Sequence, residues 1–410
     1  MLKYFKGRSV GYILKFVAVS PLALLIWLAI EITNLFRPVF VVGLSYKGRI
    51  THYMMPMELH LRNANRMHKE YIMIFVMPAA TPNYSVRKLY RRSSIIIDSE
   101  YPEFIRRIFA ILAETLQSRF TPKLVDYHEL WLLKPATSLS ESELKFGEKL
   151  FEQLGIPNGA QYVCMGVKDG AYYTSINLNA GYGQDLRDQA IDSKNVDIED
   201  YLLAATHLAN QGIYVVRVGS VVGAPLPKDR HPRIIDYAIT NRTELGDIVL
   251  GANCKFFILG CTGSFVFAAS NNRPIVYTNH YFENHHRSYW RRLDQVPNSI
   301  LIPRLYQFKN GNFLSFKSMI EQNTQLVNDQ NLERLKISPI ANSPKEILDA
   351  IVEMNSRLDG TYVTSVIGDS LQDKFYSNFD PPIPWRNYSL MRIGDSFVTR
   401  YKHLFRTLDT

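Results

Sequence analysis

The sequence predicts an α/β protein with two parallel-sheet domains facing a cleft, preceded by a hydrophobic helix. Three observations predict it. Short apolar runs rich in β-branched and aromatic residues alternate with segments of helical period, the rhythm of parallel strands joined by crossovers. That rhythm is found on both sides of a sharp break at Gly155-Ile156-Pro157-Asn158-Gly159. The length, 410 residues at 46% hydrophobic and 21% charged, allows two ordinary domains, each with its own core. The boundary is placed near 135–160, giving a first domain over 38–150 and a second over 151–367.

The N-terminal stretch 1–37 opens with Lys3, Lys6, Arg8 and Lys15, followed by an uncharged run from Phe16 to Ile30 that Glu31 ends. Pro21 interrupts the run, and it falls short of the roughly 18–20 residues that span a bilayer. A signal peptide is disfavoured because no small-residue cleavage site follows. Membrane association is favoured over a buried core helix. The segment is either a short or tilted transmembrane anchor with its basic end cytoplasmic, or a monotopic helix whose basic residues meet anionic headgroups. Both place the chain at the cytoplasmic face of the inner membrane. Basic Arg87, Lys88, Arg91 and Arg92 are expected to reinforce that attraction.

In the first domain, Val39–Leu44 reads as a strand, and a helix runs from about His52 to Asn63. Strands follow at Tyr71–Val76 and Ile95–Asp98, with a basic helical segment Val86–Arg92 between them and helical spacing from Phe104 to Leu116. The second domain reads as helix Leu144–Leu154, strand Tyr162–Val167, and an amphipathic helix Ile198–Asn210 stopped by Gly212. Strand-like runs follow at Ile213–Gly219, Ile234–Tyr237, Lys255–Leu259 and Pro274–Thr278. Ser343 as N-cap, Pro344 at the first helical position and Glu346 two positions on predict a strongly capped helix to Leu358. The tail 368–410 is polar and proline-interrupted, and is expected to cross back to the first domain.

A formal charge of +9 favours anionic partners. Without zinc-finger spacing or an arginine-rich block, nucleic acid is not among those expected. Cys164, Cys254 and Cys261 lie in or beside apolar runs and read as reduced core thiols. Gly219 to Gly223 lacks dinucleotide-binding spacing, and Pro225 and Pro227 prevent the required helix, so no nicotinamide cofactor is expected. His280, Glu283, His285 and His286 lack zinc-site spacing and read as a loop at the cleft.

In an open α/β sheet, ligands bind at the carboxyl ends of the strands, where this chain collects polar and small residues. Gly263-Ser264 opens a helix whose backbone N–H groups and positive dipole end suit a phosphate. Val163-Cys164-Met165-Gly166-Val167-Lys168-Asp169-Gly170 resembles the strand-end motif of fucosyltransferase-like enzymes. Asp247-Ile248-Val249-Leu250, Cys254–Ile258 and Gly263-Ser264-Phe265 resemble their later donor-site motif. Gly48-Arg49-Ile50-Thr51-His52 resembles the early glycine loop of heptosyltransferases, which faces the acceptor. With Val216-Arg217-Val218-Gly219 and Ile235-Asp236-Tyr237-Ala238, the region 40–360 looks most like a bacterial family of surface-polysaccharide glycosyltransferases. These have the GT-B architecture of two Rossmann-like domains around a cleft. Lys168 stands where fucosyltransferases generally carry arginine, and lysine lacks the bidentate fork, so a GDP-fucose donor is not carried over.

The resemblance implies a hexosyl- or related transferase that moves a sugar from a nucleotide-sugar donor to a surface glycan or lipid-linked acceptor. No Asp-x-Asp occurs, so metal-independent catalysis is expected. Lys168 and Arg217 are candidates to neutralise the leaving diphosphate, or else surface ion-pairing residues. Thr262, Gly263, Ser264 and Phe265 are candidates to cap a phosphate, or simply begin a helix. Asp236 either accepts ribose or sugar hydroxyls or holds Arg217; Gly219 and Tyr237 complete the donor-side motifs. Asp247 is expected to cap its helix. His52, with an unperturbed pKa suited to a general base, and Asp169 are the catalytic candidates. The alternative is a non-catalytic membrane-associated scaffold of glycan assembly with the same fold.

Overall fold

The computed structural model describes residues 21, 24–44, 49–98, 130–168, 170–171, 196–280, 296–322, 329–364, 366–378 and 391–405. The fold is α/β with parallel sheets, and the chain divides into two compact units, Met1–Ser138 and Leu139–Thr410. The helix expected over Phe104–Leu116 lies outside the described residues.

In the first unit, a helix over 24–34 (α1) leads into β1 (Val39–Gly43), α2 (Ile50–Met67), β2 (Ile72–Met77), α3 (Tyr84–Tyr90) and β3 (Ile95–Asp98). The strands pair in parallel in the order β1-β2-β3. Trp27 and Ile30 of α1 pack on Val39, Val41, Ile72 and Ile74 of β1 and β2. Asn34 accepts a 2.6 Å hydrogen bond from the Val39 amide, tying the end of α1 to the start of β1. No helix among the described residues is long and apolar enough to cross a membrane.

Helix α2 is buried from Tyr53 to Ala64 and carries a charged residue, Glu58, into the core. Glu58 accepts from Arg62 Nε at 2.6 Å, Tyr90 Oη at 2.6 Å and the Ala136 amide at 2.8 Å. Arg62 also donates to the carbonyls of Leu130 and Leu133 and lies 5.0 Å over the Trp131 ring. A buried charge is tolerated only when paired and hydrogen-bonded, and this one is met from every side. Arg87 departs from the sequence expectation. It is buried, donates to the carbonyls of Pro78 and Ala79 and pairs with Asp98, so it is a bracket between α3 and β3 rather than a surface cation.

The second unit opens with α4 (Glu141–Gln153), held by a complete Ser140/Glu143 capping box. A boundary at 150 would assign this helix to the first domain. Its Gly147 instead approaches Val249 so closely that a Cβ would lie 2.9 Å from Val249 Cγ1, and it belongs to the second unit. Next come β4 (Tyr162–Val167), α5 (Leu202–Asn210), β5 (Tyr214–Arg217), β6 (Ile234–Ile235), α6 (Glu244–Asn253), β7 (Phe257–Gly260), β8 (Ile275–His280) and β9 (Ile300–Pro303). Gly212 stops the helix as expected, at φ +87°. β10 (Leu305–Phe308) and β11 (Ile337–Ile340) form an antiparallel ribbon. Helix α7 (Pro344–Leu358) has the predicted Ser343/Glu346 capping box.

The described part of the tail packs within this unit. After α8 (Val366–Tyr376), β12 (Arg392–Ile393) pairs in parallel with β9 and α9 (Asp395–Arg400) follows. Ile393 and Val398 are fully buried and Phe397 nearly so, which fixes this part of the tail on the second unit's core.

Among the described residues the second sheet has the spatial order β12-β9-β8-β7-β4-β5-β6, all parallel. From β4 the chain winds outward through β5 and β6, then returns to β7 on the other side and winds outward again through β8 and β9. The topological switch point therefore lies between β4 and β7.

Candidate functional site

In open α/β sheets the switch point is where ligands bind, outside the carboxyl ends of the strands, here those of β4 and β7. Lys168 follows β4. It is buried, and its amide donates to the Gly260 carbonyl at 2.8 Å, locking the ends of the two strands together. Across the switch point, Cys261, Thr262, Gly263 and Ser264 follow β7. Two glycines make this close approach possible. A Cβ on Gly166 would meet Ser264 Oγ at 2.7 Å and Thr262 Cγ2 at 2.8 Å, and one on Gly260 would meet Tyr201 Oη at 2.6 Å. The structure thus brings Lys168 and the Thr262–Ser264 turn together.

That turn differs in kind from the expected helix start. Gly263–Phe265 is a single 3-10 turn running into Val266–Ala269, and Thr262 makes no side-chain cap. The aligned dipole is short, so any attraction for an anion rests on nearby charge and local N–H groups more than on a macrodipole. Phe265 is buried, its ring against Tyr277.

Arg217 ends β5, the strand beside β4. It is 3% exposed, sits 3.4 Å from Asp236, 4% exposed, and donates to the Ala224 carbonyl at 2.7 Å. Asp236 also accepts from the Leu226 amide at 2.8 Å. Asp236 thus holds Arg217, one of the two roles expected of it, and the pair ties the 218–233 loop to β5 and β6. Gly219 lies just beyond, where a Cβ would come 3.0 Å from Val222 Cγ1. Tyr237 accepts from the Thr243 amide and donates to the Thr243 carbonyl, bracing the start of α6.

Asp247 is not the cap of α6: Thr243 is, accepting from the Gly246 amide. Asp247 instead pairs with Arg242 at 2.9 Å, and burial pushes its carboxyl up to about 6 against the opposing pull of Arg242.

His52 lies in the first turn of α2, in the first unit. Burial, with help from Arg49, lowers its pKa to about 4, so the ring is neutral at physiological pH but a weaker base than an exposed imidazole. Asp169, Glu283, His285 and His286 lie outside the described residues.

The structure adds a group that the sequence reading missed. Tyr201 donates to Thr278 Oγ1 at 2.6 Å, Thr278 donates to the Leu259 carbonyl, and Asn279 Nδ2 donates to Tyr201 Oη at 3.2 Å. Asn279 and Asn342 exchange amide-to-carboxamide bonds, and the Cys261 thiol donates to the Asn279 carbonyl at 3.0 Å. Buried Arg304 follows β9, its amide bonded to the His280 carbonyl. Cys261 and Asn279, at the ends of neighbouring β7 and β8, both adopt positive φ, 56° and 54°. Such backbone is costly for a non-glycine residue and persists only where the surroundings impose it. The one available sequence signal was the polar Thr278-Asn279-His280 closing an apolar run. Asn342, far along the chain, gave none.

Fold and geometry together define a doubly wound α/β domain with a polar, conformationally strained carboxyl edge at its switch point. No family model matches the chain, and no curated protein does. Among solved structures it is similar to the Escherichia coli ADP-heptose LPS heptosyltransferase II, at 15% identity over 78% of this chain and 99% of that one, with a TM-score of 0.42. It is also similar to a family 9 glycosyl transferase from Veillonella parvula DSM 2008, at 9% identity over 65% and 86%, with a TM-score of 0.37.

Proposed function

We propose that this chain is a GT-B glycosyltransferase that moves a sugar from a nucleotide-sugar donor to a surface glycan or lipid-linked acceptor at the cytoplasmic membrane face. The observation that carries the reading is the placement of buried Lys168 and the Thr262–Ser264 turn at adjacent strand ends on the two sides of the switch point. Departure of a nucleoside diphosphate builds negative charge on the leaving phosphate. A cation in a partly desolvated crevice stabilises that charge more than it would in water. Arg217 contributes by shaping the adjacent loop through Asp236, a supporting role rather than contact with the diphosphate. Removal of the acceptor proton falls to His52 or Asp169. In this reading lysine and backbone donors take the place of a metal, consistent with a sequence that has no Asp-x-Asp.

The test is a thermal-shift panel with UDP, GDP, CDP, ADP and dTDP, without metal and then with EDTA. One nucleotide at about 100 times its Kd is expected to add about 2.7 kcal/mol, a rise of roughly 5–10 °C. Lys168→Met is expected to abolish that rise, read for the variant as the difference between its own melting temperatures with and without nucleotide. Absence of a rise with every nucleotide overturns the donor-binding reading in favour of a non-catalytic scaffold.

A further inference from the structure

Helix α1 is apolar on two opposite faces. Trp27, Ile30 and Asn34 recur at helical intervals on the face turned to the first unit's sheet. Leu25, Leu28 and Ile32 recur at the same intervals on the opposite face, with Leu35 following just past the helix end, and they are exposed by 64%, 43%, 60% and 80%. Phe36, 86% exposed, extends this second stripe past the helix end. A helix at a protein–water boundary presents polar residues outward, so a continuous outward leucine and isoleucine stripe marks a surface made for a partner.

Charge identifies that partner. Residues 1–30 contain Lys3, Lys6, Arg8 and Lys15 and no acidic residue, and exposed Arg37 follows the helix. Two copies meeting through this stripe would bring two such basic segments together. An anionic lipid leaflet neutralises them while its acyl chains cover the leucines. The anchorage of α1 decides the geometry. A spanning helix meets lipid all round over about 20 residues. Here the inner face is packed on β1 and β2, and Asn34 is bonded to the first residue of β1.

We infer that α1 lies in the plane of one anionic leaflet as a monotopic anchor, its Leu25–Leu28–Ile32–Leu35 stripe among the acyl chains and its inner face on the first unit's sheet. This deepens the membrane part of the proposed function, yet partition needs no turnover, so it fails or stands apart from the transfer chemistry.

The test uses the full chain with phosphatidylcholine vesicles, with and without phosphatidylglycerol. Partition is expected to be stronger on the anionic vesicles by more than about tenfold and to weaken with salt. The double variant Leu25→Asp/Ile32→Asp is expected to lose about tenfold or more at an unchanged melting temperature. Leu203→Asp, at an exposed leucine of the second unit, is expected to partition as the parent does. Nitroxides placed singly at 25, 28, 32 and 35 in a Cys261→Ser background are expected to report one common shallow depth. A depth graded along the helix overturns the inference in favour of a spanning anchor. Vesicle binding indifferent to the double variant also overturns it, as does a concentration-dependent dimer without vesicle binding.

Discussion

Glu58 shows how a single residue organises the first unit. Its carboxylate gathers Arg62, Tyr90 and the Ala136 amide around fully buried oxygens. Glu58→Ala would leave the Arg62 guanidinium buried beside Trp131 without its counter-charge. A loss of about 3–5 kcal/mol in chemical denaturation is expected. The same logic governs Arg217. Arg217→Ala strands the buried Asp236 carboxylate, so stability and turnover are expected to fall together, and a loss of activity there would say little about catalysis. Gly166 is legible only in three dimensions. A methyl there collides with Ser264, Thr262 and the Phe257 ring, and Gly166→Ala is expected to cost about 1–3 kcal/mol and weaken nucleotide stabilisation beyond the loss in melting temperature.

At the scale of elements, α7 is the post on which the tail is fastened. Glu353 accepts from Arg357 at 2.8 Å and from the Asp395 amide at 2.8 Å, while Asp395 pairs with Arg357 and Arg392, and Arg392 reaches Asp369. Burial, and then the neighbouring Asp395 charge, push the Glu353 carboxyl up to about 7. A folded pKa above the unfolded value means that the native state holds the proton more tightly. This contribution is complete below about pH 4.5 and disappears as pH rises through about 7. Its share is on the order of 3 kcal/mol. Urea titrations between pH 5 and 8 are expected to show a decline that Glu353→Gln flattens. Ser343→Ala, removing the cap of α7, is expected to cost about 1 kcal/mol at any pH in that range. That cap was legible in the sequence because it is local: Ser, Pro and Glu within four positions set the helix start without help from the rest of the chain. The docking of α9 on α7 was not legible, since Glu353 and Asp395 are 42 residues apart.

At the scale of the whole molecule, the tail completes the second unit. Ile393, Phe397, Val398 and Leu404 are buried, and each such side chain contributes roughly 1.5–3 kcal/mol. Their sum is comparable to the full stability of an ordinary domain, about 5–15 kcal/mol. A chain ending before Met391 is therefore expected to lose cooperative unfolding of the second unit in calorimetry while the first unit's transition persists. Where the tail docks on the second unit was not legible in the sequence. Its polar, proline-interrupted stretch hides the two-residue strand and short helix that make the contact, and elements this short carry no measurable period.

The sequence by itself determined the alternation of strands and helices, the places where strands end in polar residues, and the capped helix starts, because propensity, periodicity and capping act over a few neighbouring residues. It also carried the basic, apolar N-terminus, since charge and hydropathy are additive along the chain. Only the tertiary structure decided which strand ends became neighbours, that Asp236 holds Arg217, and that Tyr201, Asn279 and Asn342 meet at the carboxyl edge. It alone decided that one face of α1 is packed while the other is left uncovered by the first unit's sheet. Such choices depend on the order of strands in the sheet and on desolvation, and both join residues tens of positions apart that share no local signal.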